Sequence, residues 1–203
     1  MPRTEEANQR IRDERKEQVL QAAAGVFARR GLADTKIVDI AAAAGVSHGL
    51  AYRYFHTKEE VFAELVERSL NGVSRISEAA LEQPGTPWEK LLWITRETLS
   101  GMYRRPEYTL VVLHALTNEA VPSEVRQLAM RQSEVMTRAI MRLIREGQAT
   151  GQVVSGDPVQ LAWLYQSCIL GLAVGGNLTG LVPGAAKPPL PDAEMVLRIL
   201  KHY

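Results

Sequence analysis

Between Thr35 and Lys58 the chain gathers side chains that donate hydrogen bonds, carry charge or stack, at spacings that one exposed helical turn would bring together. His48 and Arg53 can donate to guanine or to phosphate, and Leu50 can touch a thymine methyl. Gly49 beside them keeps bulk away, so that a helix carrying this turn can approach a groove closely. Tyr52 and Tyr54 place hydroxyls within reach of phosphates, which fix register rather than sequence. Lys58, with the amides that open the following helix, makes a phosphate clamp, and Thr35 can serve the preceding helix in the same way. Each residue also has a plainer reading. The tyrosines could be half-buried helix residues, His48 a solvated side chain and Lys58 a surface charge. It is the constellation, with Ser47 at its head, that points to a DNA major groove.

The elements that must position this turn are legible in the same segment. Val19, Ala22, Ala23, Val26 and Phe27 recur at helical spacing, and Gly31 stops that helix. Thr35 is expected to cap a short helix with Ile37, Ile40, Ala41 and Ala44 inward. Gly45 tolerates the left-handed backbone of a tight turn, Val46 fills the space between the helices, and Ser47 caps the second one. Thr57 and Glu60 match a capping box opening a longer helix towards Leu81.

At these residues the chain resembles the tetracycline-repressor (TetR) family of bacterial regulators. The resemblance covers about residues 14–65, through Ala23, Phe27, Gly31, Thr35, Ile40, Ala41, Ala44, Gly45, Val46, Ser47, Gly49, Tyr52, Tyr54, Phe55 and Lys58. Beyond that span only helix count and size agree. The resemblance implies an all-α homodimer with a DNA-binding domain and a ligand-binding, dimerising domain. Leu50 and Ala51 stand where the family more often has a Thr and a larger aliphatic, so no base preference carries over. Residues 1–57 are expected to be a three-helix helix-turn-helix domain, and 58–203 a larger helical one, about nine helices in total. Arg3, Arg10, Arg12, Arg15 and Lys16 are interleaved with Glu5, Glu6, Asp13, Glu14 and Glu17. Residues 1–13 therefore read either as a basic arm for a minor groove or as a frayed, solvated helix.

Composition is compatible with this. The 203 residues are 46% hydrophobic and 23% charged, enough to bury a core, with a formal net charge of +1. Residues 1–58 hold 10 Lys+Arg against 7 Asp+Glu, while the rest is slightly acidic, so the mild basic excess sits with the reader. The single cysteine, Cys168, excludes an internal disulfide, and the charged opening residues lack a secretory pattern; a cytoplasmic location is expected.

The remainder divides at Gln83–Pro87 into further helices: Trp88 to Arg105, Glu107 to Glu119, a long amphipathic helix from Pro122-Ser123 to Gly147, and one opened by Asp157-Pro158. No charged residue occurs between Asp157 and Lys187, which raises a membrane-span reading. Interrupting polar residues and the missing Lys/Arg flank favour a buried bundle helix instead. Pro183–Pro191 reads as a loop, and Asp192 caps a last helix. A single reader covers too few base pairs for a unique site, so a two-fold dimer on a palindromic operator is expected. Gly171, Gly175, Leu178, Leu197 and Leu200 are the interface candidates. Trp93, Met102, Tyr103, Tyr108, His114, Trp163, Gln166 and Cys168 are candidates for lining a pocket for a neutral or apolar small-molecule effector.

The reading is thus a ligand-responsive transcriptional regulator, released from its operator by the effector. Repression is favoured over activation because it is the resembled family's commoner habit. A non-specific architectural DNA protein is the rival from another class. The four histidines show no paired metal spacing, and Gly171–Gly180 fits no nucleotide loop, so neither an enzyme nor a cofactor is expected.

Overall fold

A computed structural model describes residues 5–179, 189 and 191–202. The described residues form α1 (Glu5–Arg30), α2 (Ile37–Ala44), α3 (His48–Tyr54), α4 (Lys58–Glu82), α5 (Pro87–Arg104), α6 (Pro106–Thr117), α7 (Ser123–Ala149), α8 (Pro158–Thr179) and α9 (Ala193–Leu197), then a 3-10 turn at Arg198–Leu200. Among them, the sole sheet-like pairing is one bridge between Val153 and Lys201. Residues 5–13 are the opening turns of α1. Arg3, Gly180 and most of Pro183–Pro191 lie outside the described residues.

The chain forms two compact units. One reaches to Arg68 and takes in Leu110–Ala129; the other holds Ser69–Thr109 and the chain from Met130 onward. In the first, α1 buries Val19, Leu20, Ala23, Ala24, Val26 and Phe27, the stripe that the sequence spacing marks. Phe27 meets Phe62 of α4 edge to face, with ring centroids 5.1 Å apart. Burying each such ring contributes roughly 2–3 kcal/mol. On the surface of this unit Lys16 pairs with Glu64 at 2.7 Å, and Arg68 pairs with both Glu64 and Glu17, tying α1 to the start of α4.

In the second unit, Leu91 and Ile94 of α5, Ile140, Leu143 and Ile144 of α7, and Ala162, Tyr165 and Ile169 of α8 form one core with Val196, Leu197 and Leu200. The Thr86 and Glu89 side chains exchange hydrogen bonds with each other's backbone N–H at the start of α5. The Thr86 N–H holds the Glu89 carboxyl below its usual range. Asp157 accepts from the Val159 N–H at 2.9 Å and Pro158 takes the first helical position, so α8 opens as its sequence indicates. By length and composition α8 could cross a membrane. Its Ala162, Tyr165, Ile169 and Ala173 form a buried stripe at helical spacing, and the first three belong to this core, as a bundle helix requires.

Candidate nucleic-acid interface

The turn between α2 and α3 is built from four local devices. Gly45 takes φ +64°, a left-handed backbone that costs any residue with a Cβ, and its N–H donates to the Ala42 carbonyl at 3.1 Å. The Val46 N–H returns to the Ala41 carbonyl at 3.0 Å, closing the end of α2. Gln18 reaches from α1 to donate to the Ala44 carbonyl at 2.7 Å, so the first helix holds the turn from outside. Ser47 then caps α3, its Oγ accepting from the Leu50 N–H at 3.2 Å.

This construction leaves one side of α3 in solvent. Ser47, His48, Gly49, Tyr52 and Arg53 are exposed, Leu50 and Tyr54 half-buried, while Ala51 and Phe55 enter the core. The His48 and Tyr52 rings stand edge to face with centroids 4.6 Å apart. A Cβ added at Gly49 would meet nothing within 4 Å, and Gly49 has no left-handed φ, so nothing within the chain requires a glycine there. Lys58 opens α4 half-buried, with Nζ donating to the Ala33 carbonyl at 2.8 Å. That bond tethers the cation beside the α1–α2 turn and uses one of its three protons. Thr57 caps α4 by accepting from Glu60 N–H at 3.1 Å, and the Glu60 carboxylate reaches back one residue further than a capping box would, to the His56 N–H at 2.8 Å.

Thr35 departs from its expected role. It is 0% exposed, and its hydroxyl donates inward to the Gly31 carbonyl at 2.7 Å, so it can neither cap α2 nor touch a phosphate. The cap residue is Lys36, whose N–H donates to Asp39 Oδ2 at 2.9 Å; Arg30 holds the same carboxylate at 3.2 Å. Lys36 is exposed beside Val38, a basic position outside the expected set of DNA contacts. The available signal was Asp39, an acid three residues after the cap position whose carboxylate can accept the cap N–H.

The expected interface and pocket residues separate. Gly171 and Gly175 lie exposed on α8, Leu178 belongs to that helix with its side chain outside the described set, and Leu197 and Leu200 are fully buried in their own unit's core. Those last two leucines cannot offer area to a partner. Trp163 is 72% and Tyr103 56% exposed, too open to line an enclosed cavity. Trp163 instead joins Val159, Leu164, Ser167, Leu170, Gly171 and Gly175 in an uncharged exposed stripe at three- and four-residue spacing along α8.

Trp93, Met102 and Cys168 are half-buried against the second unit's core. Tyr108, also half-buried, has the Arg105 guanidinium over its ring at 5.4 Å. His114 belongs to the first unit, where a side chain at Gly31 would meet its ring at 3.9 Å, and its buried Nδ1 has no hydrogen-bond partner.

Polar links between helices run through the second unit. Thr137 spends its proton on the Ser133 carbonyl at 2.9 Å, so its oxygen accepts from Gln166 Nε2 at 2.9 Å. Thr95 likewise donates to the Leu91 carbonyl at 2.6 Å, which makes Tyr165 the donor in their 3.0 Å contact. Tyr165 is fully buried, and burial pushes its hydroxyl up to about 12. Ser74 donates to Gln132 in the same unit. Neither Tyr165 nor Thr95 stood out in the sequence, because an aromatic and a Thr at helical spacing look like ordinary core.

Residues 19–65, which run from the buried half of α1 through the first turns of α4, match the family described as bacterial regulatory proteins, tetR family. Over 193 residues the chain is 26% identical to the HTH-type transcriptional regulator BetI of Brucella suis, covering 93% of this chain and 89% of that one. It is 36% identical over 91 residues to the HTH-type transcriptional repressor KstR2 of Mycolicibacterium smegmatis, covering 45% of this chain and 44% of the relative. Its fold is that of AibR, solved in complex with isovaleryl coenzyme A and operator DNA, with a TM-score of 0.73 at 17% identity and coverage of 93% and 100%. With its helix-turn-helix and these relatives together, the chain carries over residues 19–65 the DNA-binding region of the TetR family of bacterial transcriptional regulators.

Proposed function

We propose that the protein is a repressor that binds a palindromic operator as a homodimer and leaves it when a small neutral or apolar effector binds. The observation that carries this is the exposed turn of α3, where His48, Tyr52 and Arg53 surround a glycine that the fold itself does not need. In this reading His48, Leu50 and Arg53 address base edges, while Ser47, Tyr52, Tyr54 and Lys58 set position on the backbone. Lys36 joins the backbone contacts. Thr35 does not.

The dimer is assigned to the exposed face of α8. An uncharged stripe with Gly171 and Gly175 one turn apart allows two helices to approach closely, and Trp163 supplies the largest apolar area on it. A second copy presenting the same stripe makes a closed two-fold contact. The effector is assigned to the second unit, where Trp93, Met102, Cys168 and Gln166 supply an apolar surround with hydroxyl and amide partners. The repressor name of one relative supports repression, and a structural neighbour solved with both a small ligand and operator DNA supports a ligand-responsive DNA binder, though not the neutral character of the effector. Release follows if the effector favours a state whose two readers no longer match adjacent major grooves.

The test is a promoter-reporter assay paired with footprinting on DNA flanking the protein's own gene. The proposal expects a protected inverted repeat and a reporter that rises when the gene is deleted. A reporter that falls on deletion would make the protein an activator. Uniform protection at every concentration would favour an architectural DNA protein.

A further inference from the structure

We propose that His48 and Tyr52 act as a single reading group, in which the Tyr52 ring holds the His48 imidazole in place to recognise a guanine in each half-site. This rests on the DNA-reading role assigned to α3 above and adds to it a base, a reader and a positioning residue. The two residues are four apart on a helix of seven, so their side chains share one face. Their rings meet at 81° with centroids 4.6 Å apart, the edge-to-face arrangement in which one ring's positive edge meets the other's negative face. Both are exposed, so the contact fills no core and contributes little to the protomer. What it does is remove the freedom of an imidazole that would otherwise sweep the surface. A side chain already held in place loses less on binding.

Guanine follows from the chemistry of the held group. An imidazole keeps at least one N–H in either charge state, and in the major groove guanine alone shows two acceptors, N7 and O6, on one edge. Gly49, the next residue, has open space around its Cα and lets that turn approach the groove floor. Arg53 lies on the helix's next turn, free to serve phosphate or a second base.

The test uses a duplex enriched from a random pool by the full-length protein, and variants of that duplex in which each base pair is exchanged or each guanine is replaced by 7-deazaguanine. His48→Ala should lose discrimination at one G·C pair per half-site by roughly tenfold, with the 7-deaza substitution at that pair costing the parent protein and not the variant. Tyr52→Leu should lose discrimination at the same pair, and the double variant should be no worse there than His48→Ala. Tyr52→Phe keeps the ring and should retain the discrimination, although it lacks the hydroxyl. Far-UV dichroism and melting curves establish that each variant is folded, and His48→Gln provides a second, milder probe. The proposal is overturned if His48→Ala keeps every base preference, or if Tyr52→Phe discriminates as poorly as Tyr52→Leu. In those cases the parent still selects a sequence and the broader reading stands. A parent protein that enriches no sequence removes both.

Discussion

Gly49 and Thr35 show how two residues of one small helical unit can serve opposite ends. Gly49 lies in a helix without a left-handed backbone and without a neighbour that a methyl would strike. Replacing it with alanine should therefore stabilise α3, by up to about 1 kcal/mol, because glycine is the weaker helix former. The same methyl would stand between the helix and a groove. Gly49→Ala is expected to raise the melting temperature and lower operator affinity by roughly tenfold, about 1.4 kcal/mol. A variant that gains stability and keeps its affinity would remove the close approach.

Thr35 has the opposite profile. Its buried hydroxyl satisfies the Gly31 carbonyl, so Thr35→Val should cost about 1–3 kcal/mol of stability. Affinity measured below the melting range should stay unchanged. Tyr165 adds a pH dependence. Its hydroxyl titrates near 10 when unfolded and is raised to about 12 by burial, so the fold binds that proton more tightly. Stability from this residue is complete below pH 10 and is lost as pH rises from about 10 to 12. Tyr165→Phe should flatten that part of the alkaline decline in melting temperature, while costing some stability at neutral pH.

At the scale of elements, the helices were legible wherever a local device sets them. Gly31 and Gly45 end α1 and α2 with positive φ, and Ser47, Thr57, Asp157 and Asp192 cap the helices their spacing marks. Thr35 misled because a threonine before an apolar run has two uses, capping forwards or bonding backwards, and only packing decides. The exposed and buried faces of α8 were not legible for a similar reason. Its sequence is uncharged all round, so hydrophobic spacing alone cannot say which side meets its own core. Leu197 and Leu200 were misassigned on the same ground, since a short apolar helix end looks alike in a core and in an interface.

The structure makes this separable by mutation. Leu197→Arg would bury a charge without a partner and is expected to unfold the protomer rather than split a dimer. Trp163→Glu on the exposed stripe should leave melting and dichroism nearly intact while reducing the mass in sedimentation to that of a monomer. An unaltered dimer would move the interface off α8.

For the whole molecule, a net charge of +1 limits how much binding can come from phosphates alone. Lys36 and Lys58 from two protomers give about four neutralised phosphates, hence a slope of log affinity against log salt of about −4. An architectural protein would have a steeper slope and little preference among sequences. The central claim is that the exposed turn of α3, presented twice by a two-fold dimer, selects a particular duplex. Selection from a random double-stranded pool by the intact protein, followed by affinity measurement at one fixed salt concentration, tests it most directly. The expected result is an enriched inverted repeat whose half-sites lie about one helical turn apart, ~34–36 Å, bound at least about a thousandfold tighter than a scrambled duplex. Equal affinity for enriched and scrambled DNA, or no enrichment at all, would contradict it.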